Sequence, residues 1–147
     1  MECIGGSGYV EESTMPRLFR ESPLNSIWEG CGNIQSLDIL RALEKSPEAT
    51  EALFNEIELS GGADKRLDHF IEKLKSDIFS NNFTQGAARS LASRIARATQ
   101  ASLMVRHASG AAANYFLATR IYEEQGIYGT HDAPDLATSI IDHSLAL

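Results

Sequence analysis

Several things are scarce in this chain, and each scarcity excludes a class of protein. Cysteine occurs only twice among 147 residues, as Cys3 and Cys31. That number cannot build a disulfide framework, and it suits a reducing compartment, so a cytoplasmic location is expected. No metal-ligand spacing surrounds either thiol, so no metal site is expected. No apolar run reaches the 18 residues of a membrane span, and the N-terminus lacks a signal peptide's charged start and apolar run. Basic charge is in deficit. Thirteen Lys and Arg face 20 Asp and Glu, for a net charge of −7. A balance of this sign argues against whole-chain attraction to nucleic acid or to an acidic membrane surface. Internal repeats and low-complexity tracts are also lacking.

Helical signals are what the chain has. Apolar content is 43%, ordinary for a globular domain and enough for one core. Pro16 suits the first turn of a short helix over 14–22, capped by Ser13 or Thr14. Arg17 and Arg20 share a face of it and are expected to pair with Glu21 or with backbone carbonyls. A helix is expected over 32–45, with Ile34, Leu37, Leu40, Ala42 and Leu43 crowding one side and Asn33 as a candidate cap. A third covers 46–60, with Ala49, Leu53 and Ile57 inward, and Gly61-Gly62 stops it. From about Asp64, the stripe of Leu67, Phe70, Ile71, Leu74 and Ile78 has a period near 3.6. His69 beside it lacks a partner at i+4 and reads as structural. The stretch 80–84 is a polar break. An alanine-rich helical region from 85 to 125 follows, kinked or split at Ser109-Gly110, and its small residues mark it as the packed spine of a bundle. Tyr115, Phe116 and Leu117 add bulk to its core. A loop over 126–134 leads to a last helix, 135–147, with Leu136, Ile140, Ile141, Ser144 and Leu145 inward. The fold class is therefore all-α, a helical bundle.

Chemistry concentrates before the second helix. Residues 5–14 read as a loop with glycine at Gly5, Gly6 and Gly8, where a ligand can approach bare backbone. Glu29 lies in the turn that feeds the helix start, between Trp28 and Gly30. An acid held between an aromatic wall and the N–H groups of a helix start is a frequent arrangement for a general base, and also for a simple capping acid. Gln35 can bring an amide near this turn. Arg41 lies about three turns along the same helix, positioned to face a substrate if the helix lines a cavity and otherwise favoured there by the helix dipole.

Three motifs occur in order: Gly5-Gly6-Ser7-Gly8-Tyr9, then Arg17-Leu18-Phe19-Arg20-Glu21, then Ile27-Trp28-Glu29-Gly30-Cys31-Gly32-Asn33-Ile34-Gln35. Together they resemble the C-terminal signature of the acyl-CoA dehydrogenase family: GGxGY, R-x-x-R-D/E and I-Y-E-G-T-x-x-I-Q. Trp28, the Gly32-Asn33 pair and the segment Ala101 to Ala108 are similar to the AidB-like branch, associated with the adaptive response to DNA alkylation. The resemblance implies an FAD-dependent α,β-dehydrogenation of an acyl-CoA thioester. Glu29 takes the base position, which removes the pro-R α-proton while FAD takes the β-hydride. Gly5, Gly6, Gly8, Tyr9, Cys31 and Gln35 take cofactor-binding positions, with Cys31 where the family has Thr and Glu2 where it has Gln. Trp28, Gly30 and Arg41 take substrate-side positions. The resemblance also implies a homotetramer, and it divides the chain into 1–45, the end of the family's helical domain, and 46–147, a helical extension. Its opening motif reads as the stop of a helix that the chain does not contain, so a fragment of a longer flavoprotein is expected, inactive and colourless alone.

Arg89, Arg94, Arg97, Arg106, Arg120 and His107 fall in a stretch, 79–122, without acidic residues. DNA docking through this extension is one reading. Positions 89, 94, 97 and 106 do not share a helical stripe, so pairing with the acidic helices around 44–58 and 64–77 is the other.

Overall fold

A computed structural model describes residues 1–80, 84–122 and 134–145. Seven α-helices are found in these residues: α1 (Met15–Glu21), α2 (Gly32–Lys45), α3 (Pro47–Ile57), α4 (Lys65–Phe79), α5 (Ala88–His107), α6 (Gly110–Phe116) and α7 (Pro134–Leu145). No strand occurs among the described residues, so the all-α expectation holds. Short 3-10 turns over Ser22–Ser26, Glu58–Ser60 and Gln85–Ala87 join them, and α6 continues into a π-helical stretch, Leu117–Tyr122.

The spine is α5. Helices α2, α3, α4 and α6 all pack on it. Ala98 and Ala101 are fully buried there, and their small side chains let neighbouring helices approach closely. Around them the core gathers Phe54 and Ile57 of α3, the predicted α4 stripe of Leu67, Ile71, Leu74 and Ile78, and Leu117 and Ile121 of the π stretch. Phe70 packs at its margin. Asp64 caps α4 by accepting the Arg66 N–H at 2.8 Å, and Gly62 at φ +77° follows the end of the preceding turn. Ser109 does divide the alanine-rich region: its hydroxyl accepts the Ala112 N–H and opens α6.

Other expectations are corrected. The 5–14 loop is in part wound, since 3-10 turns run over Glu2–Gly8 and bend at Gly5 (φ +65°, ψ −147°). Cys31, not Asn33, occupies the N-cap of α2. The face of α2 turned inward carries Gly32, Ser36, Leu40 and Leu43, while Ile34, Leu37 and Ala42 are exposed. Helix α3 buries Thr50 and Phe54 and leaves Ala49 outside. It stops at Ile57 and continues to residue 60 only as a 3-10 turn. In α7, Ile140 is half-buried and Ile141 is exposed. The side chains of Leu136, Ser144 and Leu145, and the 126–133 loop, lie outside the described residues.

Nearly all of the core comes from residues beyond 46. Before α3 only Gly8, Pro16 and Ser36 are buried. Leu18, Phe19, Leu24, Ile27, Trp28, Ile34 and Leu37 are all exposed, an apolar surface the helical bundle itself does not cover.

Candidate functional site

The turn before α2 is held in a conformation its sequence does not favour. Glu29 sits at φ +61°, alone among the described non-glycine residues in having a positive value, and Gly30 follows at φ +103°. A side chain in the left-handed region crowds its own backbone, so something outside the residue has to hold it there. Gln35 supplies that hold. From the first turn of α2 its amide Nε2 donates to the Trp28 carbonyl at 3.2 Å and to the Gly30 carbonyl at 2.9 Å. One side chain thus clasps the carbonyls on both sides of Glu29. Gly30 is needed for a second reason: a Cβ there would meet Ile34 Cγ2 at 3.1 Å. The spacing of Glu29, Gly30, Ile34 and Gln35 is therefore a single mechanical unit. The Glu29 side chain itself is exposed.

Cys31 stands beside it at the start of α2. The backbone N–H groups of Ile34 and Asn33 at the helix start hold its thiol below the ordinary pKa, and the Arg89 charge adds in the same direction. Arg89 donates to Asn33 Oδ1 at 3.2 Å and so ties α5 to the helix start. Nothing local in the sequence announces this pair. The two residues are 56 positions apart and meet only because α2 packs on α5. Trp28, 60% exposed, donates from its indole N–H to Asn25 Oδ1 at 3.4 Å.

The glycine-rich turns divide by role. Cβ atoms at Gly5 and Gly6 would meet nothing within 4 Å, so their backbone is open to a ligand. Gly8 is buried, and a Cβ there would come within 2.9 Å of the Met1 carbonyl oxygen; local packing requires this glycine. Tyr9 is exposed. Arg20 does not pair with Glu21. It forks onto Glu11 at 2.6 and 3.3 Å, closing the glycine turns against α1, and its hydrogen bond holds the Glu11 carboxyl below the usual range. Arg41 pairs with Asp38 on the exposed face of α2. The structure thus gathers Trp28, Glu29, Gly30, Cys31 and Gln35 in one turn, while Arg41 is engaged farther along α2. His69 joins no group of three potential metal ligands among the described residues. No helix among them is long and apolar enough to cross a membrane.

Of the basic stretch, Arg94 pairs with Asp77 of α4 at 2.7 Å and Arg106 with Glu56 of α3 at 2.6 Å. Arg97 donates to the Arg120 carbonyl and lies 5.5 Å from the Phe70 ring centre. These cations bind the bundle together and do not form a stripe.

Residues 1–44 match the family described as acyl-CoA dehydrogenase, C-terminal domain. The chain is similar to the putative acyl-CoA dehydrogenase AidB of Escherichia coli, 45% identical over 78 residues that make up 53% of this chain. It is also similar to acyl-CoA dehydrogenase family member 11 of Caenorhabditis elegans, 31% identical over 128 residues and covering 74% of this chain. The chain spans only 14% and 21% of the length of these two relatives. Both alignments are longer than the family match, so the likeness continues past residue 44 into the helical region. The resemblance read from the three motifs is thus shared by a family pattern and by two whole-protein relatives.

Proposed function

We propose that this chain is the C-terminal part of an FAD-dependent acyl-CoA dehydrogenase-like oxidoreductase and that Glu29 is its base. The observation that carries this reading is the clasped turn. A carboxylate is held at positive φ by an amide that bridges its two neighbours, inside the segment that matches the family. Holding a residue in a disfavoured conformation costs stability, and such strain is commonly kept where it aims a reacting group.

The residues present fit the cofactor. Gly5 and Gly6 offer open backbone, and the start of α2 presents N–H groups beside Cys31 that suit an electron-rich oxygen. Bound there, FAD would supply the hydride acceptor for the β-carbon. The chain's own contribution is proton removal. Glu29 Oε takes the α-proton of an acyl-CoA thioester, Gln35 and Gly30 fix the turn, and Trp28 gives an apolar wall that limits water. A carboxylate is too weak a base for a free thioester, so the substrate must be acidified where it binds. Arg41 would assist only if substrate reached the outer face of α2. The remaining domains of a longer protein, assembled as a homotetramer, would cover the exposed apolar surface of residues 18–37. On this reading residues 1–45 complete the catalytic domain and 46–147 form the extension.

The test is the visible spectrum of the full-length protein, titrated anaerobically with acyl-CoA thioesters of several chain lengths. Bleaching of a bound flavin that Glu29→Gln abolishes is the expected result. A flavin that bleaches equally in Glu29→Gln would remove Glu29 from the role.

A second reading keeps the flavin and drops the ordinary substrate. In it the protein is an AidB-like component of the DNA-alkylation response, whose helical extension serves oligomerisation or DNA docking. The 45% identity to AidB, over a stretch longer than the family match, supports it. The ion pairs of Arg94 and Arg106 leave fewer free cations for DNA, so oligomerisation is the better use of the extension. Salt-dependent binding of duplex DNA by the chain would restore the DNA version.

A further inference from the structure

A cleft of about 500 Å³ opens between α4 and the end of the π stretch, and it shares no residue with the Glu29 turn. One wall is a single face of α4, where Lys65, His69 and Lys73 recur every fourth residue. Arg94 also borders the cleft but is committed to Asp77. Arg66, beside it, is held by Asp64 at 2.7 Å and by Asn114 at 2.8 Å. Lys65 and Lys73 have no carboxylate partner among the described residues. Phe70 of the same helix also lines the cleft, with Arg97 over its ring at 5.5 Å, and the other side is formed by Ile121, buried, and Tyr122, 74% exposed. In a chain of net charge −7, a cleft lined by basic side chains and no carboxylate is a local reversal of sign.

We propose that this cleft binds a small polyphosphate ligand of the nucleotide class. The Lys65 and Lys73 ammonium groups, without a carboxylate partner among the described residues, lie two helical turns apart, roughly 12 Å at the rise of an α-helix, with an imidazole between them. That row suits an extended, multiply charged anion better than a single carboxylate or phosphate. The exposed Tyr122 ring on the facing side suits a planar base, since aromatic side chains and bases pack face to face regardless of base identity. The cleft volume lies in the range of small-ligand sites. A long nucleic acid is disfavoured, because the rest of an acidic chain repels a polymer that extends beyond the cleft. The same chemistry is presented by free nucleotides and by the nucleotide half of coenzyme A.

The experiment titrates the isotope-labelled chain, at low salt, with ADP, coenzyme A, inorganic pyrophosphate and a short duplex DNA, and follows His69 and the α4 amides by NMR. Saturable shifts confined to α4 and Tyr122 are expected with ADP. Lys65→Gln combined with Lys73→Gln should weaken ADP binding at least tenfold while its melting curve matches the parent's, and Lys45→Gln should leave binding unchanged. Tyr122→Ala should weaken ADP and leave pyrophosphate unaffected. Coenzyme A binding more tightly than ADP would identify the source as the coenzyme, and equal binding would identify it as free nucleotide. The proposal fails if ADP produces no shifts up to millimolar concentration, if the double variant binds ADP as well as the parent, or if duplex DNA binds and ADP does not displace it.

Discussion

A single torsion angle carries most of the chemical interest of this chain. Glu29 at φ +61° is disfavoured by roughly 1–2 kcal/mol relative to ordinary backbone. Replacing it with glycine removes the crowding, partly offset by glycine's greater freedom when unfolded. Glu29→Gly is therefore expected to stabilise the chain by about 0.5–1 kcal/mol, read from urea unfolding at fixed slope. A loss of stability instead would mean that the Glu29 side chain makes contacts worth more than its strain. Gln35→Ala removes two solvent-exposed hydrogen bonds. It should cost about 0.5–1 kcal/mol and speed hydrogen exchange of the Glu29 and Gly30 amides. The identity of Glu29 as a candidate was plain from its neighbours in sequence. Its backbone strain was not, because the reason for it sits six residues on, in a side chain that reaches back across a helix start.

Among the elements, α5 decides how tightly the bundle closes. Ala98 and Ala101 are fully buried, and helices approach closely because these side chains are small. Ala98→Leu should destabilise by about 1–3 kcal/mol through overpacking, whereas the same change at exposed Ala96 should be nearly neutral; chemical denaturation distinguishes them. Helix α4 carries a pH dependence at its cap. Asp64 is held below the usual carboxylate range, chiefly by its hydrogen bond from Arg66 and further by the backbone N–H groups it caps. A depressed carboxylate contributes its full stability above the unfolded value near pH 4 and loses it as pH falls through the lower folded value. Stability measured from pH 6 down to pH 2 should therefore fall, and Asp64→Asn should flatten that limb. An unchanged acid limb in the variant would assign it to other carboxylates.

The molecule as a whole is lopsided. Its core lies in α3 to the π stretch, while residues 18–37 present apolar side chains to solvent. Trp28, the single tryptophan, reports on that surface. In the isolated chain its fluorescence should be red-shifted and readily quenched by acrylamide. In a longer protein whose other parts cover this surface, as proposed, emission should move to the blue and quenching should fall. Equal quenching in both would show that the surface stays open. What the sequence by itself determined was the kind of elements and the family likeness: periodicity near 3.6 in the α4 stripe, glycine at the stops, and three motifs in order. Those signals are local, so each can be read where it stands. Which face of α2 turns inward, where Arg20, Arg89 and Arg106 find partners, and what holds Glu29 in its turn were decided only by the tertiary structure. An apolar residue fits either an inner or an outer face until a neighbour exists. Ile34 and Leu37 resemble core positions by spacing but point away from α5, because Gly32 and Ser36 allow a closer approach on the other side.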